Sequence, residues 1–274
     1  MLEFPWLVHG FSTRSGGFSS AYGGQALNLG FTKHDSARAV EHNRSTFLRR
    51  LGALDKGKPW PLITLRQIHS DVIHLVSAAS SGHGVGDGLV TATPNLLLAV
   101  QTADCLPVVL VDPKRRAVAV FHAGWRGTLQ RIIEKGVGRM RLEFGSNPDE
   151  LRAAIGPGIH PCCFEVGPEV KEKFESQFGY AGELFHEIRE VDPVREKYPL
   201  LFLSARPPGQ SALPARLVLD LVEANRRQMI ASGIRSVNIA TSPLCTSCRT
   251  DLLFSHRGEK GNTGRMMGVV GMRG

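Results

Sequence analysis

The residues of this chain best suited to chemistry are Cys105 and His122, which stand on either side of a turn. Cys105 precedes the apolar run Leu106–Val111, and His122 follows the run Ala117–Phe121 and opens the segment His122-Ala-Gly-Trp-Arg-Gly127. Between the runs, Asp112-Pro113-Lys114-Arg115 is a turn signal, because proline presets the backbone for the second position of a β-turn. A hairpin centred between Pro113 and Lys114 pairs residues whose numbers total 227, and Cys105 with His122 meets that condition. Opposed residues of an antiparallel pair carry Cβ atoms about 4.5–5.5 Å apart on one face. At that distance a thiol and an imidazole can share an ion, or one can act on the other.

A third candidate is His69, within the β-branched stretch Leu62–Ser77, which reads as strand with His69 between or within strands. His74 is the lesser alternative in the same stretch. One cysteine and two histidines form the donor set of a catalytic zinc site. Three protein ligands leave a fourth position open, where a water or substrate can be polarised. The same cysteine and histidine also suit a metal-free nucleophilic pair, and the spacing leaves both readings open. Further on, Cys245-Thr-Ser-Cys248 has the spacing of half a zinc knuckle or of a redox pair. Cys162-Cys163 could complete such a site, and buried unreactive thiols are the plain alternative.

The elements that must position these groups follow from periodicity. The runs Leu96–Val100, Leu106–Val111 and Ala117–Phe121 read as strands, the last two forming a central antiparallel hairpin. Val8 to Ser19, rich in glycine and serine and carrying Arg14, reads as a loop whose donors suit an anion. Asp35–Leu51 reads as a helix, with Ala39, Val40, Phe47, Leu48 and Leu51 on one face, and Thr128–Phe144 reads as another. Trp125-Arg-Gly127 then leads into a helix N-terminus, a place that attracts anions. Gly82–Gly88 reads as a glycine-rich loop, Ala153–Gly158 as a strand entering a turn, and Pro168–Phe178 as a helix with proline in its first turn. Glu187–Arg216 holds five prolines and reads as a connecting excursion. Leu217–Ser232 returns to helical spacing, closed by Gly233, and Val237–Ala240 reads as a short strand.

Bulk properties narrow the classes. The 274 residues, 42% hydrophobic, allow one large domain with an ordinary buried core. No apolar run approaches the roughly 20 residues that span a bilayer, and the N-terminus shows no secretory pattern, so a cytoplasmic location is expected. Five cysteines, an odd number, argue against a disulfide framework. The net charge of +8 is scattered without a dense run or nucleic-acid motif, so neither nucleic acid nor membrane is expected as a partner. Part of that charge could attract a small anion such as phosphate.

The same segments form a family pattern. His9-Gly-Phe-Ser-Thr-Arg14 with Gly16-Gly17, Gln67-Ile-His69-Ser70, Gly86-Asp-Gly-Leu-Val90, Thr102-Ala-Asp-Cys-Leu-Pro107 and His122-Ala-Gly-Trp-Arg-Gly127 recur in order. Ile155-Gly-Pro-Gly158, Cys162-Cys-Phe-Glu-Val166, Asp251-Leu-Leu-Phe-Ser-His-Arg257 and Thr263-Gly-Arg265 complete the set. Over nearly its whole length the chain resembles the bacterial laccase-domain purine nucleoside phosphorylase family, also labelled polyphenol oxidase or peptidoglycan editing factor. The resemblance implies an α+β (mixed α/β) fold, one domain over 1–274 with mixed sheets flanked by helices. It implies zinc held by His69, Cys105 and His122, phosphorolysis of purine nucleosides, and adenosine deamination as a second activity. Small purine nucleosides and phosphate would then be the partners, with the chain a monomer or a homodimer.

On that reading Arg14, Arg257 and Arg265 are candidates to hold phosphate, and Asp104 to carry a proton beside Cys105. The pattern departs from the family at Leu252-Leu253-Phe254, at Thr93-Pro94-Asn95 and in the proline-rich insert, which bears on substrate preference rather than on the proposed ligands. Two other functions compete. A metal-free Cys/His hydrolase of aminoacyl or peptidoglycan precursors would use Cys105 as nucleophile. A copper polyphenol oxidase would need many histidines, typically in His-x-His pairs, and the ten histidines here include none.

Overall fold

A strand that is apolar at every position must be covered on both faces, and the central runs require such burial. In a computed structural model, which describes residues 4–77, 84–189, 197 and 215–274, they become strands inside stacked layers. The strands are β1 (Leu7–Phe11), β2 (Ser15–Ser19), β3 (Leu54–Asp55), β4 (Lys58–Pro59), β5 (Leu62–Ile63), β6 (Ile73–Leu75), β7 (Gly88–Thr91) and β8 (Leu97–Thr102). They continue with β9 (Leu106–Asp112), β10 (Ala117–Ala123), β11 (Arg152–Ile155), β12 (Phe185–Arg189), β13 (Ala215–Leu219), β14 (Ile239–Thr241) and β15 (Met266–Met272). The helices are α1 (Ala37–Arg50), α2 (Trp125–Leu129), α3 (Ile132–Phe144), α4 (Pro168–Glu175) and α5 (Leu221–Ala231). These residues gather into two compact units, one drawn from Met1–His160 with Leu221–Gly274 and one from Pro161–Asp220. The mixed α/β class, with mixed sheets, flanking helices and a central hairpin, matches the expectation.

In the first unit a four-stranded sheet, ordered β1-β15-β8-β5, stacks on a six-stranded one, ordered β14-β11-β9-β10-β7-β6. Period-two alternation explains how the strands serve two layers at once. Leu98 and Val100 of β8 join Val109, Val111, Val118 and Val120 in the core between the sheets. Their neighbours Leu97 and Ala99 turn instead to Phe47 and Leu48 of α1. Complete burial of each such valine, leucine or phenylalanine stabilises the fold by about 1.5–3 kcal/mol. On the outer face of the six-stranded sheet, α3 lies close over Phe121: a Cβ at Gly136 would stand 2.4 Å from Phe121 Cζ, so glycine sets that approach.

Several local expectations change. Val8–Ser19 is not a plain loop: β1 pairs with β15 through backbone hydrogen bonds, which need no large side chains, and β2 follows. Thr128–Phe144 divides into α2 and α3 because Gln228 Nε2 donates to the Thr128 carbonyl at 2.7 Å and Arg131 adopts a left-handed φ of 62°. Leu217 belongs to a strand, with α5 starting at Leu221, and Val237 to a 3-10 turn before β14. Gly233, with φ 97°, caps α5 as expected. The loop read over Gly82–Gly88 is described from Gly84 onward; Gly82 lies outside the described residues.

The second unit is built on α4, which opens with Pro168 as expected, and on the antiparallel pair β12–β13. Phe174 packs on Phe178 and Phe185 at its centre. The two ends of the expected Glu187–Arg216 excursion pair with each other or with Leu217, as in Ile188 with Arg216. Residues 190–196 and 198–214 lie outside the described residues. Among the described residues no helix is long and apolar enough to cross a membrane.

Candidate metal centre

The hairpin places Cys105 and His122 on one face, in a register different from the expected one. His122 pairs with Pro107 and Ala117 with Asp112, so paired numbers total 229 rather than 227. The turn is longer than the sequence signal suggests. Asp112 Oδ1 accepts hydrogen bonds of 2.9 Å from the Lys114 and Arg115 N–H groups, and Arg116 takes a left-handed φ of 49°. A slip of two residues leaves every side chain on its original face, because strand side chains alternate with period two. Extended past its last pair, the ladder sets Cys105 opposite Gly124 and diagonal to His122.

His69 arrives from the segment between β5 and β6, with a left-handed φ of 60°. Its imidazole ring meets that of His122 edge-on, with centroids 4.9 Å apart. The ligand atoms of His69, Cys105 and His122 all lie within 4.8 Å of one another. Gly124 shapes the space between them: a Cβ there would stand 2.8 Å from Cys105 Sγ and 3.1 Å from His69 Cδ2. A soft thiolate, two imidazoles and a cradle kept clear by glycine fit a zinc ion with one position left open.

Charge is arranged to match. Burial opposes ionisation of Cys105, yet the charge and hydrogen bond of His122, aided by those of His69, bring the thiol down to about 6. Burial likewise disfavours the His122 imidazolium, but the Cys105 thiolate and the Asp87 carboxylate raise it to about 9. Without metal, the two form a thiolate–imidazolium pair near neutral pH. In metal-stripped protein, alkylation of Cys105 by iodoacetamide, followed by peptide mass spectrometry, should reach half its maximal rate near pH 6, not near the ordinary value of about 8.5. A midpoint at the ordinary value would contradict the pair.

The other expected residues are not part of this three-residue group. Asp104, buried and with a left-handed φ of 94°, accepts hydrogen bonds of 2.6 Å from Thr246 Oγ1, Ser255 Oγ and the Arg257 N–H. It thus ties the C-terminal segment to the residue preceding Cys105. Arg257 is brought to that carboxylate through its backbone. Arg14 donates to Glu259 Oε1 at 3.0 Å, to the Tyr22 carbonyl at 3.0 Å and to the Thr250 carbonyl. Glu259 in turn accepts from the Ser255 N–H at 3.1 Å, so Arg14 stands three hydrogen-bonded links from Asp104. Arg14 also lines a cavity of about 580 Å³ with Ser15, Gly16, Tyr22 and Gln25. Arg265 donates to the carbonyls of Thr263 at 3.2 Å and Gly264 at 2.9 Å.

Cys245, buried, and Cys248, exposed, lie with their thiols within 4.8 Å of each other in the first unit, whereas Cys162 and Cys163 belong to the second. Sequence reasoning missed two residues at the centre. Asp87, fully buried, accepts from His122 Nδ1 at 2.8 Å, and Gly124 holds the cradle open. The available signal for Asp87 was its place just before a strand that pairs with the His122 strand.

The family model described as multi-copper polyphenol oxidoreductase laccase matches residues 8–273. A relative named purine nucleoside phosphorylase YlmD, from Geobacillus stearothermophilus, is 33% identical over 98% of this chain and 92% of its own length. Another, named adenosine deaminase RL5 and from an unknown prokaryotic organism, is 33% identical over 96% of this chain and 95% of its own. The crystal structure of the Bacillus licheniformis hypothetical protein YfiH superposes with a TM-score of 0.80 at 32% identity, covering 100% of this chain and 98% of that one.

Proposed function

The chain belongs to the family described as multi-copper polyphenol oxidoreductase laccase, and from that premise we propose that it catalyses zinc-dependent phosphorolysis of purine nucleosides. Adenosine, inosine, guanosine and methylthioadenosine would yield free base and ribose 1-phosphate (its methylthio analogue in the last case), with adenosine deamination as a second activity. The observation that carries the reading is the convergence of His69, Cys105 and His122 within 4.8 Å around a glycine-lined cradle. The names of the phosphorylase and deaminase relatives support the reaction class.

In phosphorolysis a phosphate oxygen bonds to C1′ of the ribose as the bond from C1′ to the purine nitrogen breaks. The electron pair of that bond leaves with the base, which takes up a proton. His69, Cys105 and His122 would hold the zinc, which would supply Lewis acidity and, for deamination, activation of a water. The other tasks fall to side chains. Arg257, linked through its N–H to Asp104, is the phosphate contact closest in bonding to Cys105, with Arg14 and Arg265 as further contacts. Asp104 holds Cys105 in place; the proton-carrier role expected of it would compete with three hydrogen bonds. Residues 1–274 are read as one domain, supported by a family match that runs through both compact units. An odd count of five cysteines suits a cytoplasmic enzyme, and small nucleosides and phosphate are its partners, without nucleic acid or membrane.

Metal-replete protein incubated with inosine or adenosine and phosphate should release free base and ribose 1-phosphate, measured by chromatography. No release would overturn the reading. The low thiol of Cys105 favours one competitor, a metal-free Cys/His hydrolase of aminoacyl or peptidoglycan precursors. Chelation separates the two, since turnover that survives metal removal but not Cys105→Ala belongs to a thiol nucleophile. The family description carries a copper oxidase alternative. A multicopper site needs further histidine clusters, and among the described residues no other candidate metal group contains a histidine.

A further inference from the structure

The two histidines of the centre come from elements far apart in sequence, and one buried carboxylate touches both. Asp87 stands opposite His122 on the neighbouring strand, where the His122 N–H donates to the Asp87 carbonyl at 2.8 Å, continuing the β7–β10 ladder. Its Oδ1 accepts from His122 Nδ1 at 2.8 Å and from the backbone N–H of His69 at 3.0 Å. Its Oδ2 accepts from the N–H of Ser70 at 2.6 Å, the hydroxyl of Ser70 at 2.7 Å and the N–H of Ile68 at 3.2 Å. Three consecutive backbone N–H groups therefore close on one side chain. His69, in the middle of the three, is held in a left-handed conformation that a residue with a Cβ rarely adopts.

We propose that Asp87 is the positioning residue of the metal centre: a single carboxylate fixes the His122 ring through Nδ1 and pins the His69 backbone, so both imidazoles meet Cys105 at once. The inference rests on the metal reading of that site. With Nδ1–H committed to Asp87, His122 presents Nε2 as its ligand atom. The strained His69 turn persists because Asp87 binds the backbone around it. Asp87 is not itself one of the three proposed ligands, so its effect is on how tightly the site closes rather than on what it holds.

Asp87→Asn keeps the shape and an acceptor but sets an amide N–H₂ against three donors and removes the charge. Zinc affinity, measured by competition with a chromophoric chelator at fixed pH, should fall about 10–100-fold, the usual size of losing an orienting partner. Cobalt substitution should show an altered visible absorption spectrum, reporting changed ligand geometry. A residue that merely supports the fold would lower the melting temperature of metal-free protein while leaving the affinity of the folded fraction unchanged, and that result overturns the proposal. Ser70→Ala, which deletes one donor to Asp87 and no ligand, covers the case in which Asp87→Asn does not fold. Its zinc affinity should drop on the order of threefold, and an unchanged value also counts against Asp87. If wild type itself takes no zinc from the chelator, the metal reading fails first. If wild type binds and both variants match it, only the role of Asp87 fails.

Discussion

Replacing His122 with alanine should remove one equivalent of zinc from the purified protein and reduce nucleoside phosphorolysis by roughly a thousandfold, since the metal is worth several kcal/mol to a transition state. Four consequences of the fold converge on this side chain. It lies at the penultimate position of strand β10, it is on the face shared with Cys105, its ring packs against His69, and its Nδ1 donates to the buried Asp87. Removing it leaves Cys105 without its main charge partner, so the thiol should rise from about 6 toward its ordinary value. Asp87 keeps its bonds to residues 68–70, which limits the stability loss to about 1.5–3 kcal/mol for one hydrogen bond to a charged group. The protein should remain folded by circular dichroism. Metal analysis beside wild type, with turnover on inosine and phosphate, tests it. Full zinc content with lost turnover would assign His122 to a Cys–His nucleophilic pair instead.

Gly124→Ala should do nearly as much damage without touching a ligand. Gly124 has φ −83° and ψ 174°, a conformation open to any residue, so the added methyl brings no backbone strain. The cost is local and steric. A Cβ 2.8 Å from Cys105 Sγ and 3.1 Å from His69 Cδ2 must push both side chains aside, because neither separation leaves room for a methyl group. Displacing catalytic groups by about 1 Å costs on the order of a hundredfold in rate, and zinc affinity should fall with it. The overpacking itself costs about 1–3 kcal/mol. Gly138→Ala in α3 is the control: nothing lies within 4 Å of its Cβ, so zinc binding and turnover should stay at wild-type levels. If Gly124→Ala bound zinc as tightly as wild type, the cradle would not be where the metal sits.

Much of the centre was legible before the fold was known. The apolar runs around Cys105 and His122 could only be buried strands, and the proline turn between them could only bring their ends together. The register was two residues off because the side chain of Asp112 organises a four-residue turn, a contact that turn propensities do not encode. That error was harmless to the site for a reason of symmetry: side chains alternate with period two, so a slip of two keeps the face, whereas a slip of one would have turned His122 away from Cys105. The helix expected over Thr128–Phe144 was misjudged for a similar reason, since the side chain that breaks it, Gln228, comes from a distant helix.

What the sequence determined by itself, then, is a set of candidate groups: one thiol and two imidazoles, with two of the three already assigned to facing strand ends by local pattern. What only the tertiary structure decided is how His69 joins them and what holds it there. His69 is 36 residues from Cys105, and no period or turn propensity carries across that distance. It is placed by the parallel pairing of β6 with β7, which sets Asp87 beneath the loop, and by the antiparallel pairing of β7 with β10, which sets the same Asp87 beside His122. The arginines divide on the same line. Their charge could be read from the sequence, but the partners of each guanidinium could not: Arg14 reaches Glu259 and the Thr250 carbonyl, both more than 200 residues away, as well as the nearby Tyr22 carbonyl. Local sequence chooses which atoms can bind; long-range strand pairing chooses which of them meet.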